Sequence, residues 1–369
     1  MKNAISARHM QVLKAAVLLA VSVNVLPLCA DETSDRTLTI VTWEDYFSPD
    51  VLDAFAKANG VKVEVLSFED DDELFAYLQD EPGKYDVAVV SDTVLTELVK
   101  LKLLASMDKA GMPNFRNMSA RFLNRDYDPG NQFSIPYTWG TIGLGVNREH
   151  VSQASIADNS WSILWDPAFA GKVGLQASPS ELLYDGLKVA GHSLNSADDA
   201  DLQQAKEKLL ALRSQSPRYL DPAAVRDQLA SGEIWVAQIY SGDAAFAAGQ
   251  NPQIAYVLPK EGGRLWIDNF CIPKSSKRQS LAQAFINYML EPSASGQNTN
   301  YIRFANPSDG ANAFILPEIL KDPGVYPSEA ALASYEFAAS PSDASDTERR
   351  RRIMNETWAV LNQPQSPSE

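Results

Sequence analysis

Apolar runs alternate with amphipathic stretches along residues 38–101. The apolar runs cover 38–42, 61–66 and 86–90, and the amphipathic stretches cover 50–59, 71–78 and 94–101. In the first amphipathic stretch Val51, Phe55 and Ala58 recur at helical spacing, which places them on one face. This alternation predicts βαβ units, and therefore a mainly parallel sheet covered by helices.

Two later apolar runs favour strands that cross between domains. The run 133–146 contains Pro136 and Gly140. Because proline cannot donate to a strand ladder, this run suits a crossing better than a central strand. The run 265–272 predicts a second crossing, which returns the chain toward the first domain.

The remaining pattern predicts strands at 234–240 and 254–258. Helices are predicted to open at Ser178 and to cover 199–213, 222–230, 280–290 and 348–361, with an irregular stretch between the last two. We therefore expect an α/β protein with a first domain of residues 31–138 and 266–303 and a second of residues 139–265 and 304–369. The four arginines at 349–352 are expected to form a solvated helix face.

Residues 1–30 have the layout of a secretory signal peptide. Three basic residues precede an apolar run at 15–28, which ends before an acidic pair at 31–32. The run is too short to span a membrane permanently. Leu28 is bulky where a lipoprotein signal needs a small residue, so we expect cleavage after Ala30 and periplasmic export rather than a lipid anchor at Cys29.

Negative charge excludes some partners and favours others. The formal net charge is −15, and removal of residues 1–30 takes it to −18. Such a charge repels phosphate backbones and attracts cations, so no nucleic acid partner is expected. Cys271 is the one cysteine left after cleavage, so no intramolecular disulfide is expected. The three histidines, at 9, 150 and 192, lack ligand spacing, so we expect no metal, cofactor or catalytic triad.

Residues 42–47 (Thr-Trp-Glu-Asp-Tyr-Phe) place aromatic and acidic side chains in one turn. They follow the first apolar run and precede a helix start at Ser48, so they lie at the carboxyl end of a strand, where open α/β sheets bind ligands. Aromatic faces and carboxylates together favour an organic ammonium ion. The alternative is that Trp43 and Tyr46 are core aromatics and that the two acids are a solvated helix start. Residues 91–93 end the third strand and should lie beside this turn.

The order of segments resembles that of the substrate-binding receptors of bacterial polyamine importers, which take up putrescine and spermidine. The resemblance runs over the whole chain after the signal peptide, and its motifs are WEDY at 43–46, YDVAVVS at 85–91, SIPYTWGTIGLGVN at 134–147, IYSGDAAF at 239–246 and PKEGGRLWIDNFCIP at 259–273. It implies the type II periplasmic binding protein fold, with two mixed, mainly parallel sheets and crossover hinge strands. It also implies binding without catalysis.

The resemblance assigns ligand contacts to four positions early in the chain and to one late position. Trp43 and Tyr46 would stack on or border the ligand, and Asp45 would pair with one amine. Thr93 falls where relatives place a Ser or Tyr near the ligand. Phe304 falls at a position that is often Tyr.

The resemblance also assigns ligand contacts in the second part of the chain. Glu181 matches a binding carboxylate, and Tyr240 occupies a position usually held by Trp. Asp243 matches an acid typical of the putrescine type. Trp266 and Asp268 match an aromatic residue followed two positions later by an acid.

Three of these assignments have structural alternatives. Glu181 could complete an S-x-x-E capping box with Ser178. Asp243 could cap a short helix that starts at Ala244. Trp266 and Asp268 face the same side of one strand. If that side were core, Asp268 would be a buried charge that needs a cationic partner.

The ligand predicted on this basis is a polyamine, with putrescine or cadaverine binding at least as well as spermidine. Ser178 stands where the spermidine type has an acid, whereas Trp266 resembles the spermidine type. Glu44 adds an acid that could hold a further amine. The expected partner is the membrane permease of an ABC importer, and the protein is expected to act as a monomer. The alternatives are a receptor for another organic cation, a polyamine-sensing receptor, and an exported hydrolase that uses Asp243 and Asp268 as acid and base.

Overall fold

The computed structural model describes residues 36–339 and 344–363. The strands are β1 (Thr37–Thr42), β2 (Lys62–Ser67), β3 (Val87–Ser91), β4 (Ser134–Asn147), β5 (Val173–Gln176), β6 (Arg218–Leu220), β7 (Val236–Tyr240), β8 (Ile254–Val257), β9 (Arg264–Cys271) and β10 (Glu336–Phe337). The helices are α1 (Pro49–Asn59), α2 (Asp71–Asp80), α3 (Asp92–Lys100), α4 (Pro179–Val189), α5 (Asp199–Ala211), α6 (Pro222–Ser231), α7 (Ser241–Gln250), α8 (Gln279–Met289), α9 (Pro292–Ile302), α10 (Pro317–Leu320) and α11 (Ala344–Leu361).

Some of the predictions lie outside these residues. The signal peptide, the cleavage site after Ala30 and the cysteine at 29 precede the first described residue. Within the described ranges, no helix combines the length and the apolar character that a membrane span needs.

The first three strands form parallel βαβ units, as predicted. Their order in the sheet is β2-β1-β3, and all residues of β1 and β3 are buried. Helix α1 buries Val51 and Phe55, and it is capped at its carboxyl end by Gly60, whose φ of 62° is readily adopted by glycine. Because β1 and β3 are parallel neighbours, the turn after β1 and the start of α3 lie at the same edge of the sheet.

Strands β4 and β9 connect the two halves of the molecule. The first half of β4 pairs antiparallel with β9, and its second half pairs antiparallel with β7 and β8. The register shifts between Pro136 and Thr138, which accommodates the missing proline donor. Strand β9 also pairs antiparallel with β3. The two predicted crossings are therefore confirmed, and β4 joins both halves into one continuous sheet.

Asp128 anchors the start of β4. Its buried carboxylate accepts hydrogen bonds from the backbone N–H groups of Gln132 (3.0 Å), Phe133 (2.9 Å) and Ser134 (2.8 Å). It also accepts one from the Ser134 hydroxyl, at 2.7 Å. One side chain thus satisfies four donors where the chain enters the crossing strand, which fixes the direction of β4.

The second half of the sheet has parallel strands in the order β7-β5-β6, next to β4. Helix α11 packs on α4 and α5. The prediction that residues 349–352 form a solvated face holds for Arg351 and Arg352, which are exposed. It is wrong for Arg349 and Arg350, which donate hydrogen bonds to backbone carbonyls of residues 194–197 and are half-buried.

Helix α9 (Pro292–Ile302) lies in the stretch that is predicted to be irregular, and the prediction is wrong for these residues, although residues 303–306 are irregular. The segment contains Ser, Asn, Thr and Gly, which have low helix propensity. Tertiary contacts outweigh that propensity, because α9 buries Ala294, Asn298 and Ile302. The Asn298 amide oxygen accepts a hydrogen bond from the Ser48 backbone at 2.9 Å, which links α9 to the start of α1.

Cys271 ends β9 between β3 and β4. Its thiol is fully buried, and burial raises its pKa well above the usual value. A buried thiol of raised pKa carries little thiolate and is chemically inert in the folded state.

Candidate functional site

The turn after β1 places Tyr46 against strand β9. The Tyr46 hydroxyl donates a hydrogen bond of 2.7 Å to Oδ2 of Asp268. Asp45 has a φ of 59°, a left-handed conformation that aspartate tolerates better than most residues. The Tyr137 hydroxyl of β4 donates to the backbone carbonyl of Tyr46. The turn is therefore held by β4 and β9, the strands that cross between the two halves.

Strand β9 presents three functional side chains on one face. Arg264, Trp266 and Asp268 alternate along the strand, so they point to the same side. Gly140 of β4 leaves room for the indole, because a Cβ there would lie 2.6 Å from Cζ2 of Trp266. All three side chains are buried, with Trp266 and Asp268 exposed by only 4% and 5%.

Four rings form a continuous surface beside Asp268, which we call the aromatic wall. Ring centroids are separated by 5.6 Å between Tyr46 and Phe304, by 5.1 Å between Phe304 and Trp266, and by 5.7 Å between Trp266 and Tyr240. A side chain on Gly242 would collide with Phe304, so glycine is needed at that position. The structure thus brings together five of the predicted ligand residues, Asp268 and the four rings. Such rings can cover a methylene chain and attract a cation.

Arg264 joins Glu181 to Asp92 in a buried ion cluster. Its Nη2 lies 2.5 Å from Oδ1 of Asp92, and its Nη1 donates to Oε1 of Glu181. Burial raises the pKa of both carboxyls, and Arg264 opposes that shift. The Glu181 backbone N–H donates to Ser178 Oγ at 3.4 Å, so the predicted helix cap is present. The Glu181 side chain, however, pairs with Arg264 instead of completing a capping box.

A second polar group lies where β3 ends and α2 begins. Ser91 Oγ donates to Asp71 Oδ1 at 3.2 Å and shares a hydrogen bond of 2.9 Å with Thr93 Oγ1. Burial raises the pKa of Asp71 to about 6, and the hydrogen bond from Ser91 opposes this shift. Charges on Arg264, Glu181 and Asp92 also act on Asp71, so this group belongs to the same charged region as the ion cluster.

Arg226 of helix α6 contacts Asp45, and its charge also acts on Asp243. An Arg226 nitrogen lies 3.3 Å from Asp45 Oδ2, and the guanidinium carbon lies 4.6 Å from the Phe246 ring centroid. Burial raises the pKa of Asp243 to about 7, and Arg226 opposes the shift. Asp243 occupies the third position of α7, whereas Tyr240 holds the N-cap position. Asp243 is therefore not a helix cap.

Among the ring contacts of the described residues, Trp43 pairs with Phe68 and not with the aromatic wall. Trp43 is half-buried and packs on Phe68, with ring centroids 4.3 Å apart. Glu44 is exposed to solvent. A ligand amine that met Glu44 would remain hydrated, which limits the strength of such a contact. The contributions of these two residues to binding stay predictions.

The site is strongly acidic even after its internal ion pairs are counted. Burial raises the pKa of Asp268 to about 7, which the hydrogen bond from Tyr46 only partly offsets. Removing such a carboxylate from water without a cation costs free energy, so the site favours a positively charged guest. The charged groups in and around it are the acids Asp45, Asp71, Asp92, Glu181, Asp243 and Asp268 and the arginines Arg226 and Arg264.

Sequence reasoning did not single out Asp71, Arg226 and Arg264, and it placed Asp92 beside the turn without naming it as a ligand residue. Strand alternation offered a signal for Arg264, since it lies two residues before Trp266 on the same face. Asp92 directly follows β3, at the edge where a ligand site was expected. Nothing in the local sequence distinguishes Asp71 or Arg226 from ordinary solvated helix residues.

Comparison with known proteins identifies the family of this chain. A family model of bacterial extracellular solute-binding proteins matches residues 50–326. The putrescine-binding periplasmic protein SpuD of Pseudomonas aeruginosa is 31% identical over 364 residues, which cover 94% of this chain and 96% of SpuD. A putrescine/cadaverine-binding protein of the same species is 30% identical and covers 90% of this chain and 95% of its own length.

A solved structure supports the same assignment. The substrate-binding protein PotD of a Streptococcus pneumoniae spermidine/putrescine ABC transporter is 28% identical, with a TM-score of 0.77. The match covers 89% of this chain and 100% of that one. The chain therefore belongs to the bacterial extracellular solute-binding proteins and has the two-domain type II fold of periplasmic binding proteins.

Proposed function

We propose that this protein binds a polyamine, with putrescine or cadaverine bound at least as well as spermidine, and delivers it to the membrane permease of an ABC importer. The observation that carries this proposal is the buried Asp268 carboxylate, which faces an aromatic wall and has no basic partner among the hydrogen bonds of the described residues. An ammonium group at Asp268 would supply the missing charge, and the wall would cover the methylene chain. The names of the relatives support the same ligand class.

An anionic ligand fits the site less well. Both arginines near the wall already contact carboxylates, Arg264 with Glu181 and Asp92, and Arg226 with Asp45. An added carboxylate would therefore meet a region whose acids outnumber its bases.

Calorimetric titration with putrescine, cadaverine, spermidine and agmatine tests the proposal. We expect saturable heat for the diamines at one site per chain, and no heat for γ-aminobutyrate, in which a carboxylate replaces one amine. If no amine gave heat or raised the melting temperature, the proposed function would be wrong.

We also propose that the two domains close on the ligand. The expected division, residues 31–138 with 266–303 and residues 139–265 with 304–369, agrees with the packing of α11 on α4 and α5. The contacts of residues 309–314 with α9 favour a later boundary, with that stretch in the first domain. Carboxylates gathered in an empty cleft repel one another, so a polyamine should shift the population toward the closed form.

This closure predicts a change in the size of the protein in solution. Saturating putrescine is expected to reduce the radius of gyration measured by small-angle X-ray scattering. An equal concentration of ammonium chloride serves as the ionic-strength control. An unchanged radius would contradict domain closure while leaving binding itself intact.

The localisation of this protein and its oligomeric state are also inferred from its relatives. The relatives include a putrescine-binding periplasmic protein and the substrate-binding protein of an ABC transporter. We infer that this chain is exported, cleaved after Ala30 and active as a monomer without catalysing a reaction. The mass of the mature protein tests the cleavage site. Turnover of a bound amine or of a glycoside would contradict the absence of catalysis.

Ligand binding is expected to release protons near neutral pH. The pKa of Asp268 and that of Asp243 are raised to about 7, so each carboxyl is partly protonated in the empty site at pH 7. An ammonium guest lowers both pKa values, because it favours the ionised form. The affinity for putrescine should therefore rise between pH 6 and pH 8 and then level off.

The proton count can be measured directly. Titrations at pH 7 in two buffers of different ionisation enthalpy should show release of roughly one proton in total. Binding heats that do not depend on the buffer would contradict the prediction.

The same raised pKa values make the stability of the empty protein depend on pH. Below the ordinary aspartate pKa of 3.8, Asp268 and Asp243 are protonated in the folded and unfolded states alike. Since their folded-state pKa is raised, they stabilise the empty protein at low pH, and this contribution is lost as the pH rises through about 7.

A further inference from the structure

The buried ion cluster at the start of β9 has a composition that stability does not explain. Arg264, Asp92 and Glu181 are each exposed by less than 5%. The free energy needed to remove three charges from water is often larger than the free energy gained from their mutual attraction. Well-packed apolar residues often replace such clusters without loss of stability. A role in ligand selection accounts for the cluster better than a role in folding.

The guanidinium group of Arg264 is held on several sides and cannot move aside for a ligand. It contacts Asp92 and Glu181, and its central carbon lies 5.6 Å from the ring centroid of Tyr184. Arg350 lies at the same distance from that ring, and its own guanidinium is fixed to the carbonyls of residues 194 and 196. Arg264 is therefore a permanent cation at one end of the aromatic wall, two residues from Trp266.

The two carboxylates that Arg264 binds would otherwise suit an ammonium group. Each keeps one oxygen, Asp92 Oδ2 and Glu181 Oε2, that is buried and has no hydrogen-bond partner among the described residues. These oxygens show that the carboxylates could accept further donors, but the guanidinium already occupies the space between them and neutralises one of the two charges. A ligand that placed an ammonium here would have to do so beside a fixed positive charge.

We propose that Arg264 is a specificity-determining residue, a built-in cation that takes the place of a third ligand ammonium and thereby restricts the site to diamines over triamines. This inference rests on the proposed function, since it concerns which polyamine the same site selects. Putrescine needs two carboxylate partners, and Asp268 and Asp243 remain for it without Arg264 being displaced. Spermidine carries a third charge, and that charge meets the guanidinium.

The test exchanges the fixed cation for an apolar side chain while keeping the net charge of the cluster. In the double variant Arg264→Met with Asp92→Asn, one positive and one negative charge are removed together, and Glu181 is left free for an ammonium. We expect the ratio of spermidine to putrescine affinity, measured by calorimetry, to rise by about tenfold or more, which is the size of one charge-assisted hydrogen bond. The single variant Arg264→Lys keeps the cation and should keep the wild-type ratio.

A triple variant distinguishes the effect of the Glu181 charge from the effect of the volume that Arg264 leaves. Adding Glu181→Gln to the double variant removes the last carboxylate of the cluster but leaves the cavity, so the gain for spermidine should disappear. A ratio within about twofold of wild type in the folded double variant would overturn the inference, as would an equal gain in the triple variant. Wild-type protein that bound no polyamine at all would instead overturn the proposed function. Melting curves of each variant establish that the folded state is being compared.

Discussion

Replacing Asp268 by Asn is expected to lower the affinity for putrescine by about tenfold or more. A hydrogen bond between charged groups contributes about 1.5–3 kcal/mol, and this carboxylate is buried beside the aromatic wall, where water cannot screen it. Asparagine has nearly the same shape, and its amide oxygen can still accept the hydrogen bond from Tyr46. The change therefore removes the charge and little else. Calorimetry of wild type and variant measures the loss.

The stability of the ligand-free variant distinguishes binding from folding. The raised pKa of Asp268 means that ionising this group destabilises the empty protein at pH 8. The Asn variant avoids that cost, so its melting temperature without ligand should equal or exceed that of wild type. Asp53→Asn, an exposed acid on α1, controls for the loss of one negative charge. A lower melting temperature with unchanged affinity would assign Asp268 a structural role and contradict the binding role.

Replacing Asp128 by Ala is expected to lower the free energy of unfolding by about 3 kcal/mol or more. The carboxylate satisfies three backbone N–H groups and one hydroxyl at the entrance to β4, and it is almost fully buried. Alanine leaves these donors without their acceptor in a site that excludes most of the solvent. Urea unfolding of the ligand-free protein, followed by fluorescence, measures the change.

A neighbouring residue supplies the matched control for this substitution. Asp126 is exposed two residues earlier in the same loop, so Asp126→Ala should change the free energy of unfolding by less than about 0.5 kcal/mol. Asp128 does not contact the aromatic wall, so the folded Asp128→Ala variant should still bind putrescine. A loss below about 1 kcal/mol would show that water replaces the carboxylate and that the anchor is weaker than its four hydrogen bonds indicate.

The sequence predicts the architecture well because the periodic pattern of buried residues indicates where the strands and helices lie. The alternation that places β1, α1 and β2 is local, and so is the proline that marks β4 as a crossing. Helix α9 is not predicted, because its residues have weak helical preference and its helical state depends on packing against α1. Short-range pattern does not report such long-range contacts.

The site is predictable in its parts and less so in its pairings. Tyr46 and Asp268 are foreseen as site residues, but their hydrogen bond spans 222 residues of sequence. Arg264 meets Asp92 across 172 residues and Glu181 across 83. Which carboxylates remain free for a ligand depends on these pairings, so only the folded arrangement shows that Glu181 already has a cationic partner.

Because Cys271 is buried, the described part of the chain should not react with maleimide reagents while it is folded. It holds the one cysteine within residues 36–339 and 344–363, and the sheet must open before a reagent can reach it. Dyes could therefore be attached at engineered surface cysteines, one at Asp53 on α1 and one at Gln250 on α7, without labelling the native thiol. Single-molecule energy transfer between the two dyes would then test the proposed domain closure in real time.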